Sequence, residues 1–528
     1  MDLNEAWKST CKIVFGEEIG ELEEFGKYLG GNVLELGMRK SSISGQPVTL
    51  SSLNEICGSA KFISNDEVPA YQKATQDIQL DINQVKDIDS VLSALKEKFC
   101  YSGNVVLGNS NDVGLSDNCT DSSHVYKSQV VGDGCKYVAF SSQVRQTQYA
   151  FGVTYDGGSK FAIRGFCTYK LNRCFENLNT FDSSDCYFTA GLRSCSNCMF
   201  SFNLRNKNNA IGNLALQKDA YLALRKKLLA EITDELKRKK SMPGIIGLLT
   251  APSHSLARQA KAQNLKNFYR GRPSGHVETA FENTCTVLFG KSLGRLVPFE
   301  KWLSRHVNGV VPSTSPLSGQ PLYISAIPSF LALRGRVLGL EEAVELGKLH
   351  IPESALQDFS LSNAAEKLES IRYTTTEDIY GTNNLDMVEC TDYGNNSAHA
   401  FRSSQAYVCK CVAYSFWPRN SEFIFGSKFA FYSKHCVNCY NSTNLSRCFE
   451  VSDSNNCSDC YFCHNSEGLS NCIFCFNAKS LRYAIGNKEI GRENYLKIKK
   501  IILDEMVKKL EKDKKLELDI YNIGCYKS

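Results

Sequence analysis

The sequence has no long hydrophobic run, no leader-like start and almost no excess of one charge. Ile245–Leu249 is typical of its longest apolar stretches, far short of the ~20 residues that span a bilayer. A membrane-spanning protein is therefore not expected. The opening MDLNEAWKST has neither the basic start nor the apolar core of a secretory signal, and the expected compartment is the cytoplasm. Lys plus Arg number 61 against 56 Asp plus Glu, a surplus of +5, which is too small to argue by itself for a nucleic-acid partner. The phosphate loop GxxxxGKS/T, a GxGxxG after a strand and HExxH are all missing, so three common routes to catalysis have no sequence support.

What is present is a core-forming chain with many cysteines. Of 528 residues, 42% are hydrophobic and 22% charged, and 23 are Cys. The length implies more than one domain. Without a secretory signal, reduced thiols, with or without metal, are expected rather than a disulfide framework.

Comparing the two halves reveals a duplication. LNEAWKSTCKIVFG near the start matches ETAFENTCTVLFG at Glu278–Gly290, placing Cys11 on Cys285, a shift of 274. Ser44-Gly45-Gln46-Pro47 recurs at Ser318–Pro321, and the Cys135 block CKYVAFS recurs at Cys409 as CKCVAYS. RCFE at Arg173 and Arg447, AIGN at Ala210 and Ala484, and Tyr221 and Tyr495 keep the same offset. Six blocks at one offset define a tandem duplicate of a roughly 240-residue repeat.

The boundaries read as a first repeat over 1–240, a basic linker over 241–275 and a second repeat over 276–528. In the first, a helical start over 1–99 leads to a β-solenoid at about 119–213 and a terminal helix over 221–240. In the second, the β-solenoid lies at about 390–487 and the terminal helix over 495–515. The fold class is α+β. Apolar spacing predicts helices over 4–15, 17–29 and 87–99, with a counterpart near 363–371. Leu222, Leu224, Leu228, Leu229 and Ile232 are expected to line the buried stripe of the first terminal helix. The linker holds Arg258, Lys261, Lys266, Arg270 and Arg272, no acid, and Phe268 and Tyr269 among them. That composition suits either a solvated linker or contacts to RNA or DNA.

A shorter period runs inside each repeat. Cys436, Cys448, Cys460 and Cys472, then Ala484, stand 12 residues apart, as do Cys174, Cys186, Cys198 and Ala210. Turn-rich Asn, Ser, Asp and Gly separate short apolar triplets. A fixed 12-residue period of this kind predicts a β-solenoid whose coils stack at roughly 4.8 Å. So small a coil admits only small inward side chains, while outward pairs such as Tyr187-Phe188 and Tyr461-Phe462 need cover from the flanking helices.

Three readings of the cysteines follow. Cys460, Cys463, Cys472 and Cys475 form two CxxC pairs, the donor set of a tetrahedral Zn²⁺ site, with His435 and His464 adjacent to ladder cysteines. Stacked cysteines ~4.8 Å apart also fall within reach of a disulfide. The third reading is packing by small reduced thiols. The first repeat has Cys186, Thr189, Cys198 and Ser201 where the second has the zinc quartet, a change that would halve a metal site and leave a packed ladder intact. His124 and His399 follow Cys119–Asp121 and Cys390–Asp392 at unequal spacing, which fits a structural role better than an activated thiol.

The run from Asn197 and Cys198 through Ile211-Gly212-Asn213 to Tyr221, with its copy from Asn471 and Cys472 through Ile485-Gly486-Asn487 to Tyr495, resembles the closing motif of a family of cysteine-rich hypothetical proteins from uncultivated bacteria, archaea and phages. Members often carry a cysteine knuckle before Ser-Gly-Lys/Gln. This chain has Ser41–Gln46 and Ser315–Gln320 there, without those cysteines. The resemblance implies the solenoid and supplies no activity. The sequence thus points to a non-enzymatic structural or protein-interaction scaffold that self-associates or binds a protein. The alternatives are a nucleic-acid- or ribosome-associated factor and a zinc-stabilised module.

Overall fold

The computed structural model describes the chain apart from residues 1, 53, 77–84, 253–270, 378–382, 395 and 526–528. It is a mixed α and β structure. Among the described residues no helix is long and apolar enough to cross a membrane.

The backbone rule is local. Through most of 104–213 and 383–487, nearly every third residue lies in the left-handed region, with φ between about 44 and 74° where it is not glycine. An L-residue there costs about 1 kcal/mol, least for Asn and Asp, which explains the recurrence of Asn438, Asn441, Asn444, Asp453 and Asn456 at these corners. The next residue points inward and the one after it outward. Four such triplets return the chain beside itself, so strands pair in parallel at an offset of 12. Cys186 pairs with Cys198 and Cys198 with Ala210. In the second repeat Cys436 pairs with Cys448, Cys460 with Cys472, and Cys472 with Ala484.

The paired strands extend further than the cysteine spacing indicates. They begin at Val106–Leu107 and Leu385–Val388 rather than near 119 and 390. The early coils carry Val125, Val138, Ala150 and Ala162 inside instead of cysteine. Three of them also hold 13 residues, pairing Val106 with Cys119, Ser123 with Lys136 and Leu385 with Ala398, so no single period connects them to the rest. At the other end each sheet is closed by a short antiparallel strand, Leu214–Ala215 and Lys488–Glu489, followed by the terminal helix.

Those helices run Lys218–Lys239 and Arg492–Asp513. The buried stripe of the first is Tyr221, Leu228, Leu229, Ile232 and Leu236. Leu222, expected in that stripe, is 45% exposed, because Tyr221 takes the inward position. The opening helices, Leu3–Phe15 and Gly275–Phe289, cover the outward aromatics. The Tyr187 hydroxyl donates to Val14 O at 2.7 Å, and Tyr461 donates to Leu288 O at 2.6 Å, the same contact at both positions.

The chain divides into two compact units whose limits do not follow the sequence repeats. The first unit is Met1–Gly37, Asn104–Lys266 and Pro312–Glu377; the second is Met38–Gly103, Asn267–Val311 and Asp378–Ser528. Each unit therefore contains one ladder and its helices from one repeat, and a middle segment from the other.

Candidate functional site: ladder interior, corners and buried carboxylates

The interior residues are chosen for hydrogen bonding as well as size. Many inward thiols and hydroxyls donate to the carbonyl two residues earlier: Cys186 to Ser184 O at 3.2 Å, Cys460 to Ser458 O at 3.2 Å, Ser415 to Ala413 O at 2.9 Å. Interior serines also accept from the backbone of the next coil, as in Ser427 N to Ser415 Oγ at 3.2 Å. This satisfies polar backbone that a tight corner would otherwise bury unpaired.

The zinc candidates lie in this scheme. Cys460, Cys463, Cys472 and Cys475 are fully buried in adjacent interior columns, where their thiols donate to the carbonyls of Ser458, Tyr461, Ser470 and Ile473. In the first repeat the hydroxyl of Ser201 makes the bond that Cys475 makes in the second, to Met199 O at 2.9 Å. Burial pushes the Cys460 and Cys475 thiols well above their usual range; at Cys463 burial acts the same way but hydrogen bonds from Cys460 and Cys475 outweigh it, and at Cys472 hydrogen bonds from the same two thiols lower it, so the four share protons as one network. Among the described residues no group of three or more His, Cys, Asp or Glu is arranged to hold a metal ion.

A disulfide occurs away from the ladders, where cysteine spacing gave no hint of one. Cys57 and Cys525 are joined, with Cα atoms 6.2 Å apart and 468 residues between them in sequence. The expectation of reduced thiols throughout is corrected at this pair, since the fold brings the second unit's middle segment against the chain's C-terminal stretch. The other cysteines, all in the described residues, are not joined in disulfides. Substitution at Cys460 separates packing from ligation. Cys460→Ser should retain most stability, since a hydroxyl keeps the carbonyl bond. Cys460→Leu should lose about 1–3 kcal/mol by overpacking, as read from thermal unfolding.

The histidines are likewise structural. His124 Nδ1 meets Asp112 at 2.5 Å and His399 Nδ1 meets Asp386 at 3.1 Å, partners one coil away, while Cys119 points into the core. His464 is committed at both ring nitrogens, to Ser452 Oγ at 2.8 Å and to the amide of Ser102 at 3.2 Å. His435 stacks on Phe423 at 4.6 Å and faces Thr284. Of the basic linker residues, Arg258, Lys261, Lys266 and Arg270 lie outside the described residues. Arg272 is exposed.

Sequence reading missed a buried carboxylate in each unit, at equivalent corners. Glu176 is completely buried, ion-paired with the Arg164 guanidinium, and accepts from the Tyr28 hydroxyl at 2.7 Å and the Ile245 amide at 2.8 Å. Glu450, at the same place in the second repeat, accepts from Asn438 Nδ2 at 2.9 Å and the Ile520 amide at 3.0 Å. Burial, with the nearby Asp519 charge, raises its carboxyl to about 8. Burial also works to raise Asp519, but the His306 hydrogen bond and Arg305 outweigh it and hold that carboxyl below its usual range.

Beside Arg164 opens a cleft of about 460 Å³, lined in part by Lys27, Asn32, Lys239 and Lys240. Lys239 is paired with Glu235 at 2.6 Å and Lys240 with Glu24 at 3.1 Å. In the second repeat Arg305 and His306 occupy the positions of Gly31 and Asn32.

One row of corners stays open to solvent in each ladder. In the second it runs Val408, Asn420, Tyr432, Asn444, Asn456, Gly468 and Ser480, one per coil. Val408 is 47% and Tyr432 63% exposed.

No family model and no curated protein matches the chain. Among solved structures, a putative acetyltransferase from Desulfovibrio desulfuricans G20 aligns over 77% of this chain and 74% of its own, at 8% identity and a TM-score of 0.11. That likeness is too low to carry a statement about fold or activity.

Proposed function

We propose that this protein is a non-enzymatic scaffold that presents a flat ladder surface to a protein partner. On this reading each ladder is a short β-solenoid, the chain is a structural as well as a sequence duplicate, and it belongs with the cysteine-rich proteins its closing motif resembles. The supporting observation is the open corner row of the second ladder, where Val408 and Tyr432 stand exposed two coils apart on a backbone paired coil to coil. A pre-ordered surface of this kind loses little conformational entropy on binding. The ladder thiols act in packing and backbone bonding, and the buried carboxylates in holding the segment that follows each terminal helix.

The antiparallel strand and terminal helix that close each ladder block stacking at that end, so association of whole chains is finite rather than filamentous. The test is a photoreactive phenylalanine analogue at position 432 in cells, with position 456 of the same row as control. One dominant protein adduct at 432 that weakens with Val408→Asp supports the proposal. Adducts to nucleic acid, or a protein profile identical at both positions, overturn it.

A further inference from the structure

The middle segments Met38–Gly103 and Pro312–Glu377 are the same stretch of the two repeats, displaced by 274, yet each is built into the unit whose ladder comes from the other repeat. The contacts are matched. Asn213 closes its own coil, accepting from Phe202 N at 2.7 Å, and its amide reaches Leu349 O at 3.0 Å. Asn487 accepts from Phe476 N at 3.0 Å and reaches Thr75 Oγ1 at 3.0 Å. Residues 349 and 75 are themselves 274 apart. Near the start of the same coil, Asn203 donates to Tyr373 O at 2.9 Å and Asn477 to Cys100 O at 2.7 Å.

The glycine of each Ile-Gly-Asn corner makes the room. Gly212 has φ +58, and a Cβ there would stand 2.4 Å from Ile351 Cδ1; Gly486 has φ +57, and a Cβ would stand 2.3 Å from Leu95 Cδ2. In both cases the clash is with the segment contributed by the other repeat. The motif that recurs in sequence is thus both the end of a ladder and a seat for a segment from elsewhere in the chain.

We propose that this ladder end is a self-recognition surface whose ligand is the middle segment of another repeat, so that the two halves of the chain bind each other as separate polypeptides. The linker is not what holds them. The Cys57–Cys525 disulfide adds a covalent tie in the second unit, with Leu331 and Ala251 at the matching positions of the first. The proposal is independent of what the open corner row binds.

A specific protease site placed within 253–270 of the otherwise full chain tests it. After cleavage under reducing, non-denaturing conditions, the fragments should elute together, with a native mass near the 58.9 kDa of the intact chain and an unchanged circular dichroism spectrum. On a denaturing gel they should run as one band without reductant and two with it. Fragments that separate under reducing, non-denaturing conditions overturn the proposal. In the cleaved protein, Gly212→Val with Gly486→Val should weaken association at least tenfold. Fragments of this variant that associate as tightly as the parent's show that the corner is not the seat, and overturn it too.

Discussion

Replacing Arg164 by Ala is expected to destabilise the first unit by about 3–5 kcal/mol at pH 7, the range found when one partner of a buried ion pair is removed. Glu176 is fully buried and Arg164 only 4% exposed, so little solvent is at hand to replace the guanidinium. The carboxylate would keep two donors, Tyr28 and the Ile245 amide, which do not neutralise its charge. Arg164→Asn, which installs the residue found at position 438 of the second repeat, should recover part of the loss. Denaturant unfolding followed by Trp7 in a Trp302→Phe, Trp417→Phe background reports on the first unit, which contains Trp7. An Arg164→Ala midpoint equal to that of the parent would show that the pair contributes nothing net.

The second unit should lose stability as pH rises. The Glu450 carboxyl is held at about 8 in the folded protein, against an unperturbed value of 4.5. The folded state therefore keeps a proton that the unfolded chain releases above about pH 4.5. Stability from this group is fully present below that pH and is lost as pH rises through 8. That difference corresponds to about 5 kcal/mol, at roughly 1.4 kcal/mol per unit. Unfolding of the second unit, followed by Trp302 and Trp417 in a Trp7→Phe background, should show this decline between pH 5 and 8. Glu450→Gln should flatten it, because the amide stays neutral across this range, although its single oxygen keeps only one of the two bonds, from Asn438 Nδ2 or from the Ile520 amide. A parent protein whose second unit is equally stable at pH 5 and 8 would rule out the protonated carboxyl.

These two expectations differ although the positions correspond, and the difference follows from the charges around each glutamate: Arg164 beside Glu176, and Asp519 near Glu450, whose corner partner is the neutral Asn438. Arg164 and Asn438 occupy the same corner one coil before the buried glutamate. An arginine supplies a counter-charge and allows ionisation, whereas an asparagine supplies only a dipole and leaves the proton in place. Both arrangements serve the same structural end, anchoring the backbone that follows the terminal helix, through Ile245 N in one unit and Ile520 N in the other. Neither carboxylate was legible as a site from sequence. Each sits in an RCFE block, where it reads as an ordinary surface acid until the covering segment is placed.

Other features were legible because they depend on near neighbours. The inward position of Cys186, Cys198, Cys460 and Cys472 follows from a 12-residue spacing that strand pairing reproduces residue by residue. The need to cover Tyr187 and Tyr461 follows from their outward place beside an inward cysteine, and the opening helices meet it. The left-handed corner at every third residue was visible only as a surplus of Asn, Asp and Gly, because Phe188, Arg447 and Glu450 take the same conformation and carry no turn signal of their own.

The sequence by itself determined the coil length, the small hydrogen-bonding interior and the presence of two copies, all set by spacing and side-chain size within one repeat. Only the tertiary structure decided which copy receives each middle segment. The seats at Gly212-Asn213 and Gly486-Asn487 offer the same space and donors, so local chemistry cannot distinguish a repeat's own segment from its duplicate's. That choice rests on how the connections near residues 37, 103, 311 and 377 direct the chain, a property of the whole fold that no residue pattern records.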